Sequence, residues 1–361
     1  MSKQSVIKVL ALRERFAHMS SVSGYDALYN YFPETVSVDS VFGNFKKMYP
    51  RGIGRVLETA SNFVSSSGFY NANSVEVESK LLIKAFTRNY NIIHYTYGEP
   101  YFGMGGALGK AIKPARVITN HQPVSWWQDN EQLFKKYKNA DKVIALSEYD
   151  EAHFNSHIPH KAICIPHGVD IDFYKPADVV NERSDSFFRV VFSGRYLRDM
   201  ETLALVVKKL SASSINFQFD IVYTDKESVW QPYLIDIMAL QNVNWYAGLT
   251  DQQLLKLYQQ ADCCLIPLED CTANNAILEA MACGLPIIST DLPAIKTYVD
   301  NTMSILGRKG NTDDLCEALI MLYQNAELRK NMSLNARQKA ITNFDWNKIA
   351  GQTLSLFKSL Q

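Results

Sequence analysis

The stretch Asp262-Cys-Cys-Leu-Ile-Pro-Leu-Glu-Asp-Cys-Thr-Ala-Asn-Asn-Ala-Ile-Leu-Glu279-Ala-Met-Ala-Cys-Gly-Leu-Pro286-Ile-Ile-Ser289 decides how the chain is read. Its first apolar run predicts a buried strand. The small polar residues that follow predict a loop, and a helix is expected to begin near Asn275. Gly284-Leu-Pro286 then turns the chain into another apolar strand. A helix opened by Thr and Asn exposes free backbone amides, which suit an anion. Glu279 lies about one turn into that helix and projects near whatever the amides hold. A helix glutamate taken alone is usually solvated. Strand, amide-rich loop and carboxylate together suit a nucleotide, with phosphates on the helix end and ribose hydroxyls on the carboxylate.

The same strand-then-helix rhythm extends outward in both directions. Strands are expected at Val6–Leu12, Asn91–Tyr97, Arg116–Asn120, Lys142–Ala145 and Lys161–Ile165. A second series runs Arg189–Ser193, Phe217–Tyr223, Val243–Tyr246, Ala261–Ile266 and Leu285–Ser289. Between them, stretches such as Leu203–Leu210 and Asp251–Gln260 repeat apolar residues at helical spacing. Alternation of this kind predicts parallel sheets covered by helices on both faces. The stretch Pro176–Ser186, rich in Asp, Asn, Glu and Ser, separates the two series. The expected fold is therefore α/β, with two Rossmann-like domains in 361 residues. In such sheets ligands sit beyond the carboxyl ends of strands, and a cleft between two such edges is the expected site.

Composition narrows the classes. The chain is 47% hydrophobic and 20% charged, which argues against disorder, and no apolar run reaches the length of a membrane span. Six cysteines, at positions 164, 263, 264, 271, 283 and 316, show no CxxC spacing. They read as reduced thiols of a cytoplasmic protein without a zinc site. The zero net charge hides an asymmetry: 19 Lys+Arg face 14 Asp+Glu through residue 165, against 18 and 23 in the remainder. Scatter accounts for this as readily as a basic half meeting an anionic substrate or membrane face.

A second loop of interest follows Val190-Val-Phe-Ser-Gly194-Arg195-Tyr-Leu-Arg198-Asp. Gly194 permits close backbone approach, and Arg195 and Arg198 can clamp a diphosphate. The segment Ile165-Pro-His167-Gly-Val-Asp170 through Pro176 reads as a rigid connection between the halves. Gly103-Met-Gly105-Gly106-Ala-Leu-Gly109 has the look of a dinucleotide fingerprint, but Leu108 stands where the third Gly is needed and the first strand is far away.

These segments resemble the C-terminal half of the family 4 retaining glycosyltransferases of GT-B architecture. The closest likeness is Leu278-Glu-Ala-Met-Ala-Cys-Gly-Leu-Pro-Ile-Ile288. Asn242-Val-Asn-Trp-Tyr-Ala-Gly248 resembles the family's strand before a base-contacting loop, and Phe344-Asp-Trp-Asn-Lys-Ile-Ala350 its last helix, which crosses back to the first domain. Ser147-Glu148 resembles a Ser-Glu pair of the family, and of its Gly-rich first loop, at 18–24 here, only Gly24 remains. The resemblance covers residues 140–361 well and the rest loosely.

It implies an acceptor-binding domain at 1–165, a nucleotide-sugar domain at 166–343 and a returning helix at 344–361. It implies a hexosyltransferase of envelope or exopolysaccharide synthesis, while the thiols point to the cytoplasm and the basic first half to peripheral contact with an anionic membrane. The donor is expected to be a UDP-sugar, and the acceptor a glycan or lipid-linked saccharide. No metal, other cofactor or nucleic acid is expected, because cationic side chains and helix dipoles offset the leaving diphosphate. His121, just after a strand, would face the donor sugar, and Arg195 would hold the diphosphate. Gly194, Arg198, Tyr223, Gly248, Leu249, Cys271, Thr272, Ala273, Asn274, Asn275 and Glu279 would complete the donor site, with Gly24 from the first loop. Trp126 and Trp127 are candidates to stack on an acceptor sugar, and equally candidates for the core.

Two positions depart from the family. Its first loop Glu falls on Cys271, one or two residues from Glu269 and Asp270, and its phosphate Lys falls on Met200, with Arg198 as the substitute. Those departures keep two rivals in view: a nucleotide-sugar isomerase or hydrolase, and a non-catalytic sugar-nucleotide-binding partner of another transferase.

Overall fold

The structure, a computed structural model, describes residues 6–14, 20, 22, 24–43, 48–64, 69–127, 131–178 and 187–361. Positions 18, 19, 21 and 23 of the first loop, and 179–186 of the polar stretch, lie outside the described residues. The chain forms two compact units: Met1–His167 with Trp346–Gln361, and Gly168–Asp345.

In the first unit the strands are β1 (Ile7–Arg13), β2 (Val36–Phe42), β3 (Ile92–Tyr95), β4 (Ala115–Asn120), β5 (Lys142–Ala145) and β6 (Ala162–Cys164). They pair in parallel in the order β2-β1-β3-β4-β5-β6. In the second they are β7 (Phe188–Ser193), β8 (Phe217–Val222), β9 (Val243–Tyr246), β10 (Cys263–Ile266), β11 (Ile287–Thr290) and β12 (Ser304–Gly307). Their order is β12-β11-β10-β7-β8-β9, again all parallel.

The inner strands are buried on both faces, which explains their unbroken apolar runs: every residue of β3, β10 and β11 is inaccessible. The expected α/β class holds. Two strands, β2 and β12, were not expected from the sequence, and both lie at sheet edges. Only one face of an edge strand needs burial, so β2 carries Ser37, Asp39 and Ser40 among its apolar residues and lacks the continuous run that marks its neighbours.

Helix starts are set by side-chain caps. Asn71 and Thr250 form capping boxes with Ser74 and Gln253, Asp199 caps Met200–Ser211, and Asn274 caps Asn275–Ala282. Ser147 caps Glu148–His157, its hydroxyl accepting from the Asp150 amide at 3.0 Å, so the Ser-Glu pair opens a helix. The last helix, Trp346–Ser359, buries Trp346, Ile349, Ala350, Thr353, Leu354 and Phe357 in the first unit. Its Phe357 meets His94 at 5.4 Å between ring centroids. No helix among the described residues is long and apolar enough to cross a membrane. All six cysteines carry free thiols.

Candidate active site

In each sheet the chain reverses its direction of winding at one point, and the loops that leave the two strands there splay apart to open a crevice. In the second unit that point lies between β7 and β10, which brings together the two loops singled out in the sequence. They are laced by backbone bonds: the Asp199 amide donates to the Pro267 carbonyl at 3.1 Å, and the Glu269 amide to the Leu197 carbonyl at 3.0 Å.

Gly194 has φ +100°, and a Cβ there would lie 2.6 Å from Arg198 Nη2. Both the backbone conformation and the space exclude a side chain. Arg198 therefore folds back under its own turn. Its Nε donates to the Ser193 carbonyl at 3.2 Å, Nη1 to the Tyr196 carbonyl at 3.0 Å, and Nη2 to Asn274 Oδ1 at 3.1 Å. Burial pulls the guanidinium below its ordinary pKa, an effect opposed by Tyr258, Cys264, Cys271 and Glu279. Arg195 instead is exposed, its guanidinium 5.9 Å from the Tyr223 ring centroid.

Asn274 joins the two loops. Its Oδ1 accepts from Arg198 and from the Ile277 amide, so it caps the helix Asn275–Ala282 while holding the arginine at the helix mouth. Its Nδ2 is buried and has no hydrogen-bond partner, which leaves one donor for an incoming acceptor. Thr272, Asn274 and Glu279 are buried, whereas Ala273 and Asn275 are half-buried. Glu279 Oε2 accepts from the Tyr258 hydroxyl at 3.0 Å. The site therefore joins a half-buried cation, amides at a helix start and a carboxylate one turn in. Such a set is suited to a phosphate-bearing ligand with hydroxyls nearby.

Cys271 is buried, with its amide on Asp270 Oδ1 at 2.7 Å; Glu269 is exposed. Met200 is buried in the first turn of its helix and supplies no cation where the resemblance expected a lysine. Gly248, at φ +62° and exposed, and the half-buried Leu249 follow β9 just before the Thr250 cap. Tyr223 follows β8, its ring edge-on to Trp245 at 5.8 Å.

In the first unit, His121 leaves β4 with its ring stacked on Tyr97 at 4.3 Å and met edge-on by Tyr25 at 4.8 Å. Its Nε2 lies 2.9 Å from the Thr96 carbonyl, which can only accept, so the proton is on Nε2 and the lone pair on Nδ1. Burial, with His167 nearby, pushes its pKa down to about 3, so the ring is neutral. Glu99 Oε1 accepts from the amides of His121 and Gln122, the latter at 2.6 Å. Burial raises Glu99 to about 7. Neither Glu99 nor Tyr258 was found by reading the sequence; each acts through a partner more than 20 residues away, and no local motif marks it.

One expectation in this unit needs correction. Trp127 is fully buried against Phe134, Tyr137 and Phe154, so it belongs to the core and cannot stack on an acceptor. Trp126 remains exposed, stacked on Phe69 at 5.9 Å. Gly24 has φ −64° and ψ 147°, a backbone any residue adopts, so its place in the loop does not rest on glycine's freedom. The Gly103–Gly109 loop, dismissed as a dinucleotide site, closes instead on an internal carboxyl group, Glu78, which burial pushes above the usual carboxylate pKa. Glu78, inaccessible to solvent, accepts from the amides of Gly103, Met104 and Gly105 at 2.7–3.1 Å and from the Tyr70 hydroxyl at 2.6 Å.

Comparison with known proteins adds the following. Residues 188–325 match the family model described as Glycosyl transferases group 1, and residues 49–173 match Glycosyltransferase Family 4. An uncharacterized glycosyltransferase of Methanocaldococcus jannaschii is 22% identical over 75% of this chain and 76% of its own. A phosphatidyl-myo-inositol mannosyltransferase of Mycobacterium leprae is 23% identical over 55% of this chain and 54% of its own, so that likeness spans about half of each. Among solved structures, HepE of Anabaena in complex with UDP and glucose superimposes with a TM-score of 0.70. It is 16% identical and covers 98% of this chain and 100% of that one, a likeness of fold.

Proposed function

Because the chain belongs to the family 4-type glycosyltransferases of GT-B fold, we propose that it moves a hexose from a UDP-sugar to a glycan or lipid-linked saccharide with retention of anomeric configuration. The observation that carries this reading is the joint of Arg198, Asn274 and the helix Asn275–Ala282, a half-buried cation and an unused donor at a set of helix-start amides. Arg198 and the exposed Arg195 would take the diphosphate, stabilising it as charge develops on the leaving group. Glu279 would take the ribose hydroxyls, and Tyr223, Gly248 and Leu249 the side of the base. His121, neutral and with its lone pair on Nδ1, would face the donor sugar. UDP is favoured by the Anabaena neighbour, whose complex holds UDP and glucose. Sugar transfer to a lipid-linked acceptor is favoured by the mannosyltransferase relative.

Two arginines and a helix start can offset the diphosphate charge without a divalent ion, so no metal or other cofactor is invoked. Envelope or exopolysaccharide synthesis at the cytoplasmic face of the membrane fits the basic balance of the first 165 residues. The test is product analysis with UDP-sugars and saccharide acceptors, with and without EDTA. The expected result is acceptor-dependent transfer that survives the chelator and yields the donor's own anomer. Free sugar without any transfer would move the chain to the hydrolase reading. An inverted product would overturn retention, and loss with EDTA restored by Mg²⁺ would overturn the charge compensation.

A further inference from the structure

Behind Glu279 stands a side chain that the nucleotide reading does not use. Tyr258, in the last turn of the helix Asp251–Gln260, is completely inaccessible to solvent. Its hydroxyl lies 3.0 Å from Glu279 Oε2 and 2.7 Å from Ser193 Oγ. An ionised carboxylate only accepts, and a phenol has one proton, so the tyrosine donates to Glu279 and the Ser193 hydroxyl donates to the tyrosine oxygen. The chain Ser193 to Tyr258 to Glu279 thus joins the end of β7, the helix before β10 and the helix after it, at the point where the sheet reverses its winding.

We propose that Tyr258, backed by Ser193, is a positioning residue that fixes the Glu279 carboxylate for the ribose hydroxyls of the nucleotide. The inference rests on the nucleotide reading given above. A glutamate has three side-chain torsions, and holding one carboxylate oxygen removes most of their freedom before the ligand arrives. The holder is itself held. Its ring packs edge-on to Tyr174 at 6.2 Å, and burial beside Glu279 keeps its hydroxyl protonated far above neutral pH. A tyrosine kept only for packing would affect stability and would leave the recognition of ribose untouched.

The two roles separate in a titration calorimetry experiment with UDP and 2′,3′-dideoxy-UDP, which lacks both ribose hydroxyls. The variants are Tyr258→Phe, which deletes one oxygen, Ser193→Ala, and Glu279→Ala. Wild type is expected to prefer UDP by about tenfold or more, as two charge-assisted hydrogen bonds allow. Tyr258→Phe should cut that preference about fivefold and Ser193→Ala about twofold, with dideoxy-UDP affinity within about twofold of wild type. Each preference is a ratio measured on one preparation, so a partly unfolded variant does not distort it. A preference unchanged in Tyr258→Phe but abolished in Glu279→Ala overturns the role of Tyr258. A wild type that binds both nucleotides equally, with Glu279→Ala no different, overturns the ribose reading itself and this inference with it.

Discussion

The carboxyl edges of the two sheets solve opposite problems. In the second unit, the loops after β7 and β10 bring together a cation, a set of helix-start amides and a buried amide donor without a hydrogen-bond partner. In the first unit, comparable groups are already spent on one another. The glycine-rich loop at Gly103–Gly109 closes on the Glu78 carboxyl group, and His94 is bonded at Nδ1 to the Tyr29 hydroxyl and at Nε2 to the Thr119 hydroxyl, both at 2.8 Å. The same chemistry thus keeps an unused donor in one place and closes on itself in the other. What separates them is whether the chain itself supplies the acceptor for its loop amides.

That contrast is broken most severely at Glu78. Glu78→Ala strands three buried amides and the Tyr70 hydroxyl, and should cost about 3–5 kcal/mol of stability. Chemical denaturation would check it; a loss below 1 kcal/mol, on the order of a surface substitution, would mean the loop does not depend on its internal carboxyl group.

The next largest effect concerns how the donor sugar is read without a glutamate at position 271. A thiol is a poor hydrogen-bond partner for sugar hydroxyls, so Thr272 and Asn274 are expected to take over. Asn274→Ala and Thr272→Ala should lower turnover by about tenfold or more, and by more than Glu269→Ala or Asp270→Ala, each lost bond being worth on the order of 1.5 kcal/mol. Steady-state rates with the working donor decide it. Greater damage from the acidic substitutions would mean that the carboxylate has shifted along the loop.

A smaller effect sharpens the scaffold side. Burial drives His94 and His121 down to about 3, so both are neutral when folded, whereas the unfolded chain takes up their protons as pH falls through about 6.5. Their stabilisation is present above that pH and is lost toward acid. Glu99, raised to about 7, runs the other way: folded protein binds its proton first, so its contribution is present below the unfolded carboxyl pKa and lost as pH rises through 7. Between pH 5 and 6.5 it therefore offsets one of the two histidine protons. Glu99→Gln removes the offset, and stability should fall with acid more steeply than in wild type by about 1.4 kcal/mol per pH unit. Parallel stability-against-pH curves for the two proteins would contradict this.

The contrast also explains what could be read from the chain. The second site was legible because its groups are local: Gly194, Arg195 and Arg198 lie within one turn, and Thr272, Asn274 and Glu279 within a loop and the first turns of a helix. The scaffold of the first unit was not, because its bonds join Tyr29 to His94, Glu78 to Gly105 and Glu99 to His121, partners separated by a strand or a helix. Adjacent tryptophans made the same point. Trp126 and Trp127 are indistinguishable in sequence, yet the short 3₁₀ turn at Val124–Trp126 exposes the first and buries the second. Edge strands β2 and β12 escaped because partial burial does not demand a continuous apolar run.

The central claim, that the loops after β7 and β10 hold a nucleoside diphosphate, is tested most directly by titrating UDP into wild type, Arg198→Ala and Glu279→Ala in the presence of EDTA. The account predicts saturable binding by wild type, weakened by about 10- to 150-fold in each variant, as the loss of a charged hydrogen bond worth about 1.5–3 kcal/mol requires. Unfolding midpoints measured without ligand would establish that both variants are folded. Wild-type affinity in both folded variants, or no UDP binding by wild type, would contradict it.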